Sequence, residues 1–377
     1  MAFEHYISAG GKRLRCGYTT GTCAALAAAG AARYLTEGTW PETVSLRTPK
    51  GWRVEVPLEA CRAEPGRAIC AVRKDGGDDV DRTHGARIEA AVVLTESPGI
   101  AIQGGPGVGR VTKPGLDQPV GEAAINRVPR QMIARAVEEV LSAAGYEGGA
   151  SVVISVPEGE VIARQTFNPR LGIEGGISIL GTSGIVEPMS AQAVVDTIAL
   201  ELRQAAAQGE KRLILTPGNY GLDYLRRQGM DQWEIPVVKC SNFIGEALDE
   251  AVLDGFSEIL LVGHVGKLVK LAGGIFNTHS RMADCRAELF CAHAALAGGD
   301  KTLCRALMNC LTTNACLALL DEAGRREPVM ASLLDAIQGH LSRRAGETCA
   351  VGAVLFSNEY GLLGETPEAK EIMERWN

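Results

Sequence analysis

Residues 213–216 (LILT) run into PGNYG at 217–221, residues 237–239 (VVK) into CSN at 240–242, and residues 259–262 (ILLV) into GHVGK at 263–267. Each is a short apolar run followed by a turn of small or polar residues. Helical patterns lie between them at 222–228 and 243–253. A longer one precedes them, with Val194, Val195, Ile198, Leu202 and Ala205 on one apolar face and Ser190 placed to cap it. Strand, turn and helix in repetition predict a parallel sheet covered by helices on both faces, all its strands pointing the same way. Ligands gather beyond the carboxyl ends of such strands, and three turns fall there together. Gly218, Asn219, Ser241, Asn242, Gly263 and His264 are therefore candidate ligand residues, because glycine and small polar side chains let backbone N–H groups face a ligand. Helix capping accounts equally well for Ser241 and Asn242.

Upstream the texture differs. Val44–Leu46, Val54–Leu58, Ala68–Val72 and Ile88–Leu94 are β-type runs broken by Gly, Pro and Asp clusters, and their spacing suggests a sheet of hairpins. Two helices interrupt it: an Ala-rich run at 23–35, and 129–144, where Ile133, Ala136, Val137, Val140 and Leu141 recur at helical spacing. The expected class is α/β, with an N-terminal two-layer α+β domain over 1–187 and a Rossmann-like three-layer parallel-sheet domain over 188–377.

Composition sets outer bounds. With 377 residues, 46% hydrophobic and 22% charged, the chain has material for a core and is not a disordered one. Thirty-eight Lys and Arg against 45 Asp and Glu leave a net charge of -7, which argues against nonspecific binding to nucleic acid or to an anionic membrane. No run approaches the roughly 20 apolar residues of a membrane-spanning helix, and the opening MAFEHYISAGGKRLR has no apolar h-region, so a cytoplasmic protein is expected. Eleven cysteines without a CxxC pair indicate neither a disulfide framework nor a zinc ribbon, and most are expected as small buried hydrophobes.

Four further features bear on chemistry. CGYTTGTC at 16–23 leads into the Ala-rich helix, which Thr22 can cap; the free N–H groups of the first turn, with Lys12, Arg13 and Arg15 just upstream, could hold a carboxylate or phosphate. The plainer alternative is a capped helix preceded by solvated basic residues. KDGGDDVD at 74–81 sets Asp75, Asp78, Asp79 and Asp81 in one loop, where mutual repulsion would raise at least one pKa and suit a general base, or where a hard cation could bind; a solvated acidic turn is the alternative. Glycine-rich runs at 104–115 and 172–184 permit close approach to a flat or phosphorylated ligand, yet neither is a dinucleotide fingerprint. His264, Lys267, His279, Asp284 and Glu288 lack the spacing of a metal motif, and no protein-bound metal is expected.

Taken together, GYTTGTCAA at 17–25, KDGGDDVDRTHG at 74–85, GGPGVGRVTKPGL at 104–116, GEAAINRVPR at 121–130, TFNPRLGIEGGISILGTSGIVEPMS at 166–190, PGNYG at 217–221 and VGHVGKLVKLAGGIFNTHSRMADCRAE at 262–288 resemble the cobalt-precorrin-5B C1-methyltransferase family of anaerobic cobalamin biosynthesis, CbiD. The resemblance implies S-adenosyl-L-methionine as methyl donor and a corrinoid acceptor, cobalt entering only within the substrate, and cobalt-precorrin-6A and S-adenosylhomocysteine as products. It asks for a donor site, expected at Gly218, Asn219, Ser241, Asn242 and Gly263. It also asks for cations and donors to meet the acceptor's many carboxylates, expected at Arg15, Thr19, Thr20, Thr22, Arg110, Lys113 and Lys267, with Lys12, Arg13 and Lys270 as further candidates. Asp75, Asp78 or His264 would accept the proton that methylation releases. The partners are small molecules; a homodimer is left open. A tetrapyrrole carrier and a nicotinamide-dependent corrinoid reductase of the same pathway are the competing readings.

Overall fold

A computed structural model describes residues 3–376. The chain divides into two compact units, Met1–Ala191 and Gln192–Asn377.

The first unit is built around a five-stranded sheet in the order Glu59–Glu64, Arg67–Arg73, Arg87–Thr95, Gly149–Ser155, Ile100–Gly104. Neighbours are antiparallel except the last pair, which is parallel. The expected sheet of hairpins is thus only part of the arrangement: the hairpin Thr43–Arg47/Arg53–Pro57 stands outside it, and two strands come from further along the chain. The helices Thr20–Glu37 and Arg127–Ala143 pack on the sheet and on each other. Ala24, Ala25, Ala27, Ala28, Ala31 and Ala32 are all fully buried, because methyl side chains let the first helix lie close to its neighbours on several sides. The second helix contributes Ile133 and Val137, both fully buried and each worth about 1.5–3 kcal/mol of burial. Gly38, left-handed at φ 76°, ends the first helix by donating its N–H to the Tyr34 carbonyl at 2.8 Å.

The second unit holds a five-stranded sheet in the order Val237–Lys239, Arg212–Thr216, Glu258–His264, Ala350–Ser357, Gly361–Glu365. The first four are parallel. The last is antiparallel, against the expectation of one direction throughout, because a turn of only three residues joins it to Ala350–Ser357 and no crossover fits in that length. Side chains alternate between two cores. Leu213, Leu215, Ile259, Leu261, Ala353 and Leu355 pack with helix residues such as Leu202, Leu248 and Ile337, whereas Ile214, Leu260, Val262, Val354 and Phe356 pack with Tyr224, Leu225 and Ile372. Both faces of the sheet are covered, which the unbroken apolar strands require. Among the described residues no helix is long and apolar enough to cross a membrane.

Candidate active site

The sheet of the second unit has a reversal in its winding. The chain passes from Arg212–Thr216 outward to Val237–Lys239, then returns across to Glu258–His264, so the connections diverge between the carboxyl ends of Arg212–Thr216 and Glu258–His264. Ligands of open α/β sheets bind outside the strand ends at such a point, and the turns after Thr216 and His264 flank it.

Gly218 is extended (φ 161°, ψ -169°), and a Cβ built on it meets nothing within 4 Å. It precedes the helix Asn219–Arg227, which no side chain caps. Asn219 and Tyr220 are exposed, and the Tyr220 ring lies 6.0 Å from that of His264. His264 packs edge-on against Phe356 at 5.7 Å, and Phe356 stacks on Tyr224 at 4.2 Å. The His264 Nδ1 accepts the Gly266 N–H at 3.1 Å. The neutral ring therefore carries its proton on Nε2, and burial holds its pKa below the ordinary histidine value. This corrects the base role expected of His264: its free nitrogen is a donor. Gly263 also departs from expectation. It lies buried inside the strand opposite Leu355, where a Cβ would press on Leu268 at 2.9 Å, so it shapes the turn and does not face a ligand.

Ser241 and Asn242 do not cap the helix Ile244–Leu253, which has no side-chain cap. Ser241 has a left-handed backbone at φ 54°. Asn242 accepts the Thr278 N–H on its carbonyl at 3.0 Å and the Thr278 hydroxyl on Oδ1 at 3.4 Å. Lys267 donates from Nζ to the Pro217 carbonyl at 2.9 Å and toward the Ser241 carbonyl at 3.4 Å. Lys270, offered as a cation for the acceptor, is only 2% exposed and donates to the carbonyls of Thr278 and Ala283 at 3.1 and 2.8 Å, so it is closed to a polyanion.

The sequence reading missed the turn after the fourth parallel strand. His264 lies opposite Phe356 across the pair, which brings Ser357 and Glu359 to the same edge. Asn314 joins them, donating from Nδ2 to Glu359 Oε2 at 2.6 Å and accepting the Ser357 hydroxyl at 3.2 Å. The signal was there in VGAVLF at 351–356 running into SNEY, the same apolar-run-then-polar-turn texture as the other three.

The first unit treats its motifs differently. Thr19, not Thr22, caps the Ala-rich helix: its Oγ1 accepts the Thr22 N–H at 3.3 Å, while Thr22 hydrogen-bonds the Gly184 carbonyl at 2.6 Å. Thr20 accepts the Leu180 N–H at 2.9 Å, and the Gly21 N–H reaches the Leu180 carbonyl at 3.1 Å. Thr19, Thr20 and Thr22 are 5%, 2% and 0% exposed, so this helix start is sealed by residues 180–184 and is not an open anion site.

The loop 74–85 joins Arg67–Arg73 to Arg87–Thr95. Three of its four carboxylates, Asp75, Asp78 and Asp81, are answered one by one. Arg15 clasps Asp75 through two bonds of 2.5 and 2.9 Å, Asp78 accepts the Arg15 N–H at 2.7 Å, and buried Lys74 pairs with Asp81. Burial pushes the Asp75 carboxyl upward, but the Arg15 guanidinium and the Gly77 N–H outweigh it and hold the pKa below the usual carboxylate range. Asp81 is likewise pushed up by burial and brought lower by Lys74 and Thr83. The expected rise does not develop at Asp75 or Asp81 because these charges, like that of Asp78, face a cation or an N–H, and Asp75 is a weaker base than a free carboxylate. The loop's main chain interlocks with the hairpin Tyr6–Ala9/Lys12–Arg15 and the strand Gly17–Tyr18 that follows it: Asp78 N–H to Arg15 carbonyl and Tyr18 N–H to Asp75 carbonyl, both 2.9 Å.

The glycines at 104–109 approach the chain itself. Gly107 is left-handed at φ 75°, and a Cβ there would fall on the Val156 carbonyl. Arg110 and Lys113 are exposed, and no carboxylate pairs with either among the described residues. The Arg110 guanidinium donates to the Gly121 carbonyl at 3.0 Å.

Comparison with known proteins adds the following. The CbiD family model matches residues 7–188, and the model of the CbiD C-terminal domain matches 277–367. A cobalt-precorrin-5B C(1)-methyltransferase of Ruminiclostridium cellulolyticum is 49% identical over 356 residues, covering 94% of this chain and 92% of its own length. That of Alkaliphilus metalliredigens is 43% identical over 371 residues, 98% of this chain and 97% of its own. A 1.9 Å crystal structure of cobalamin biosynthesis protein (cbiD) from Archaeoglobus fulgidus, 30% identical, superposes with a TM-score of 0.38 over 74% of this chain and 87% of that one.

Proposed function

The chain belongs to the CbiD family, and from that premise we propose that it transfers a methyl group from S-adenosylmethionine to C1 of cobalt-precorrin-5B, a step of cobalamin biosynthesis that leaves cobalt-precorrin-6A and S-adenosylhomocysteine. Among the observations of the fold, the divergence of the connections at the strand ends of the second unit, with open space at Gly218, supports this reading most directly. We read that unit as Rossmann-like and these strand ends as the donor site. On the same reading the enzyme works in the cytoplasm on two small molecules.

S-adenosylmethionine, when bound, supplies a methyl group on a sulfonium. The residues fit such a molecule: the unfilled space at Gly218 is where a ligand can meet the backbone, Asn219 offers an amide beside an uncapped helix start, and His264 offers Nε2–H next to the flat Tyr220 ring. Ser241 and Asn242 complete the mouth on the neighbouring strand end. The demand on these groups is alignment, since holding reacting atoms at about 3–3.5 Å supplies much of the acceleration in a displacement of this kind. Arg110 and Lys113 are among the cations of the first unit that no carboxylate pairs with among the described residues, and they are assigned to the acceptor's carboxylates. Lys12 and Arg13 extend that set from an exposed hairpin. Arg15, Asp75 and Asp78 hold the loop 74–85 and are assigned no part in the chemistry.

Anaerobic incubation with cobalt-precorrin-5B and S-adenosylmethionine tests the assignment. Product heavier by one methylene unit is the expected outcome. Reduction without added carbon, or recovery of unchanged ligand, would replace it with a reductase or a carrier.

A further inference from the structure

Lys267 is half-buried, no carboxylate pairs with it among the described residues, and its ammonium sits between two backbone carbonyls that belong to different turns. One is Pro217, just before Gly218 and Asn219; the other is Ser241 itself. Those turns follow adjacent parallel strands, Arg212–Thr216 and Val237–Lys239, yet the pairing between the strands ends at Thr216 opposite Lys239. Beyond that point one main-chain bond, Cys240 N–H to Thr216 carbonyl at 2.9 Å, continues the connection. The next link across is the lysine.

Ser241 makes the link informative. A serine at φ 54° occupies a backbone region that L-residues avoid, and such conformations persist where the surroundings over-determine them. Here the Lys267 Nζ holds the Ser241 carbonyl from one side, and Thr278, through the Asn242 carbonyl, holds the following residue from the other. Lys270, one turn after Lys267, fixes Thr278 by the same device. Both lysines of the segment GKLVK are thus committed to backbone carbonyls, a use that the compact ammonium with its rotatable donors suits.

We propose that Lys267 is a positioning residue that clasps the Pro217 and Ser241 turns and so sets their spacing at the donor site. Its role is to order two turns that must act on one ligand together, not to bind an acceptor carboxylate. The inference rests on the donor site proposed above.

The test measures S-adenosylhomocysteine binding by calorimetry, and KM for cobalt-precorrin-5B, in Lys267→Gln, Lys267→Arg and Asn219→Ala. In Lys267→Gln the clasp predicts about a tenfold or larger loss of S-adenosylhomocysteine affinity with the corrinoid KM within about twofold of wild type. Lys267→Arg, whose fork also reaches two carbonyls, is expected to recover affinity to within about threefold. A raised corrinoid KM with unchanged donor-product affinity in Lys267→Gln overturns the proposal in favour of an acceptor contact, and no change in either quantity overturns it outright. Asn219→Ala separates the two levels: if it loses affinity while Lys267→Gln does not, only the clasp fails, and if neither loses affinity the donor site itself is misassigned. Should Lys267→Gln not fold, hydrogen exchange on the wild-type chain decides. The clasp predicts that S-adenosylhomocysteine slows exchange at 218–221 and 241–243 alike; protection of one turn alone overturns the clasp, and protection of neither removes the donor site.

Discussion

The loop at 74–85 and the turns at 217–221 and 263–267 share glycine, charge and a place at the ends of strands, yet they treat their polar groups in opposite ways. In the first, Asp75, Asp78 and Asp81 are each taken up by Arg15 or Lys74, and the backbone threads into the hairpin that carries Arg15. In the second, Asn219 and Tyr220 are exposed, the helix start is uncapped, and the His264 Nε2 makes no hydrogen bond among the described residues. A polar cluster that has satisfied itself is a fastening; one that stops short is open to a ligand. Residue type does not distinguish them, and the count of answered donors and acceptors does.

Two glycines put that contrast to its sharpest test. Gly77 is left-handed at φ 65°, and a Cβ there would lie within the Arg15–Gly17 backbone; Gly77→Ala is expected to lose about 3 kcal/mol of stability in urea unfolding, from the backbone conformation and the overlap together. A loss below about 0.5 kcal/mol would mean that the interlock is loose.

Removing the cation of that loop should cost less. The Arg15–Asp75 pair retains 24% side-chain exposure on each partner, so Arg15→Ala is expected to destabilise by about 1.5 kcal/mol at pH 7. The sign with pH follows from Asp75. Its folded pKa is held below the unfolded value, so its contribution is present above about pH 4 and lost as pH falls through the depressed value. Stability measured from pH 7 downward should show a shallower acid loss in Arg15→Ala than in wild type; parallel curves would disconnect Arg15 from that carboxyl.

In the second unit the corresponding titration belongs to His264 and runs at higher pH. Burial lowers its pKa, so below about pH 6.5 the unfolded chain takes up a proton that the folded chain resists, and stability falls as pH drops. His264→Gln should remove about 1 kcal/mol or less of that decline, read from thermal unfolding between pH 7.5 and 5.5. The smallest expected effect on stability is at Gly218, extended and with open space at its Cβ. Gly218→Ala should change stability by less than about 0.5 kcal/mol while weakening S-adenosylhomocysteine binding severalfold. A stability loss like that of Gly77→Ala would erase the distinction between the two regions.

Much of the second unit's sheet was legible because its information is local. The runs at 213–216, 237–239 and 259–262 and the helices after them appear at Arg212–Thr216, Val237–Lys239, Glu258–His264, Asn219–Arg227 and Ile244–Leu253. The antiparallel strand Gly361–Glu365 and the role of Glu359 rest on tertiary partners, Ala350–Ser357 and Asn314. The helix cap was misjudged by three residues for a tertiary reason: Thr22 is drawn to the Gly184 carbonyl, 162 positions away, leaving Thr19 to cap.

Periodicity, turn residues and family motifs are written along the chain, so strand and helix identity, the strand-end turns and the family could be read before any coordinates. Which carboxylate faces which cation could not. Asp75 meets Arg15 across 60 positions, Gly107 meets Val156 across 49, and Lys267 meets Pro217 across 50. The folded chain alone decided whether a charged, glycine-rich loop is closed on itself or open to a ligand, because hydrogen bonds and ion pairs depend on distances in space that spacing along a chain does not contain.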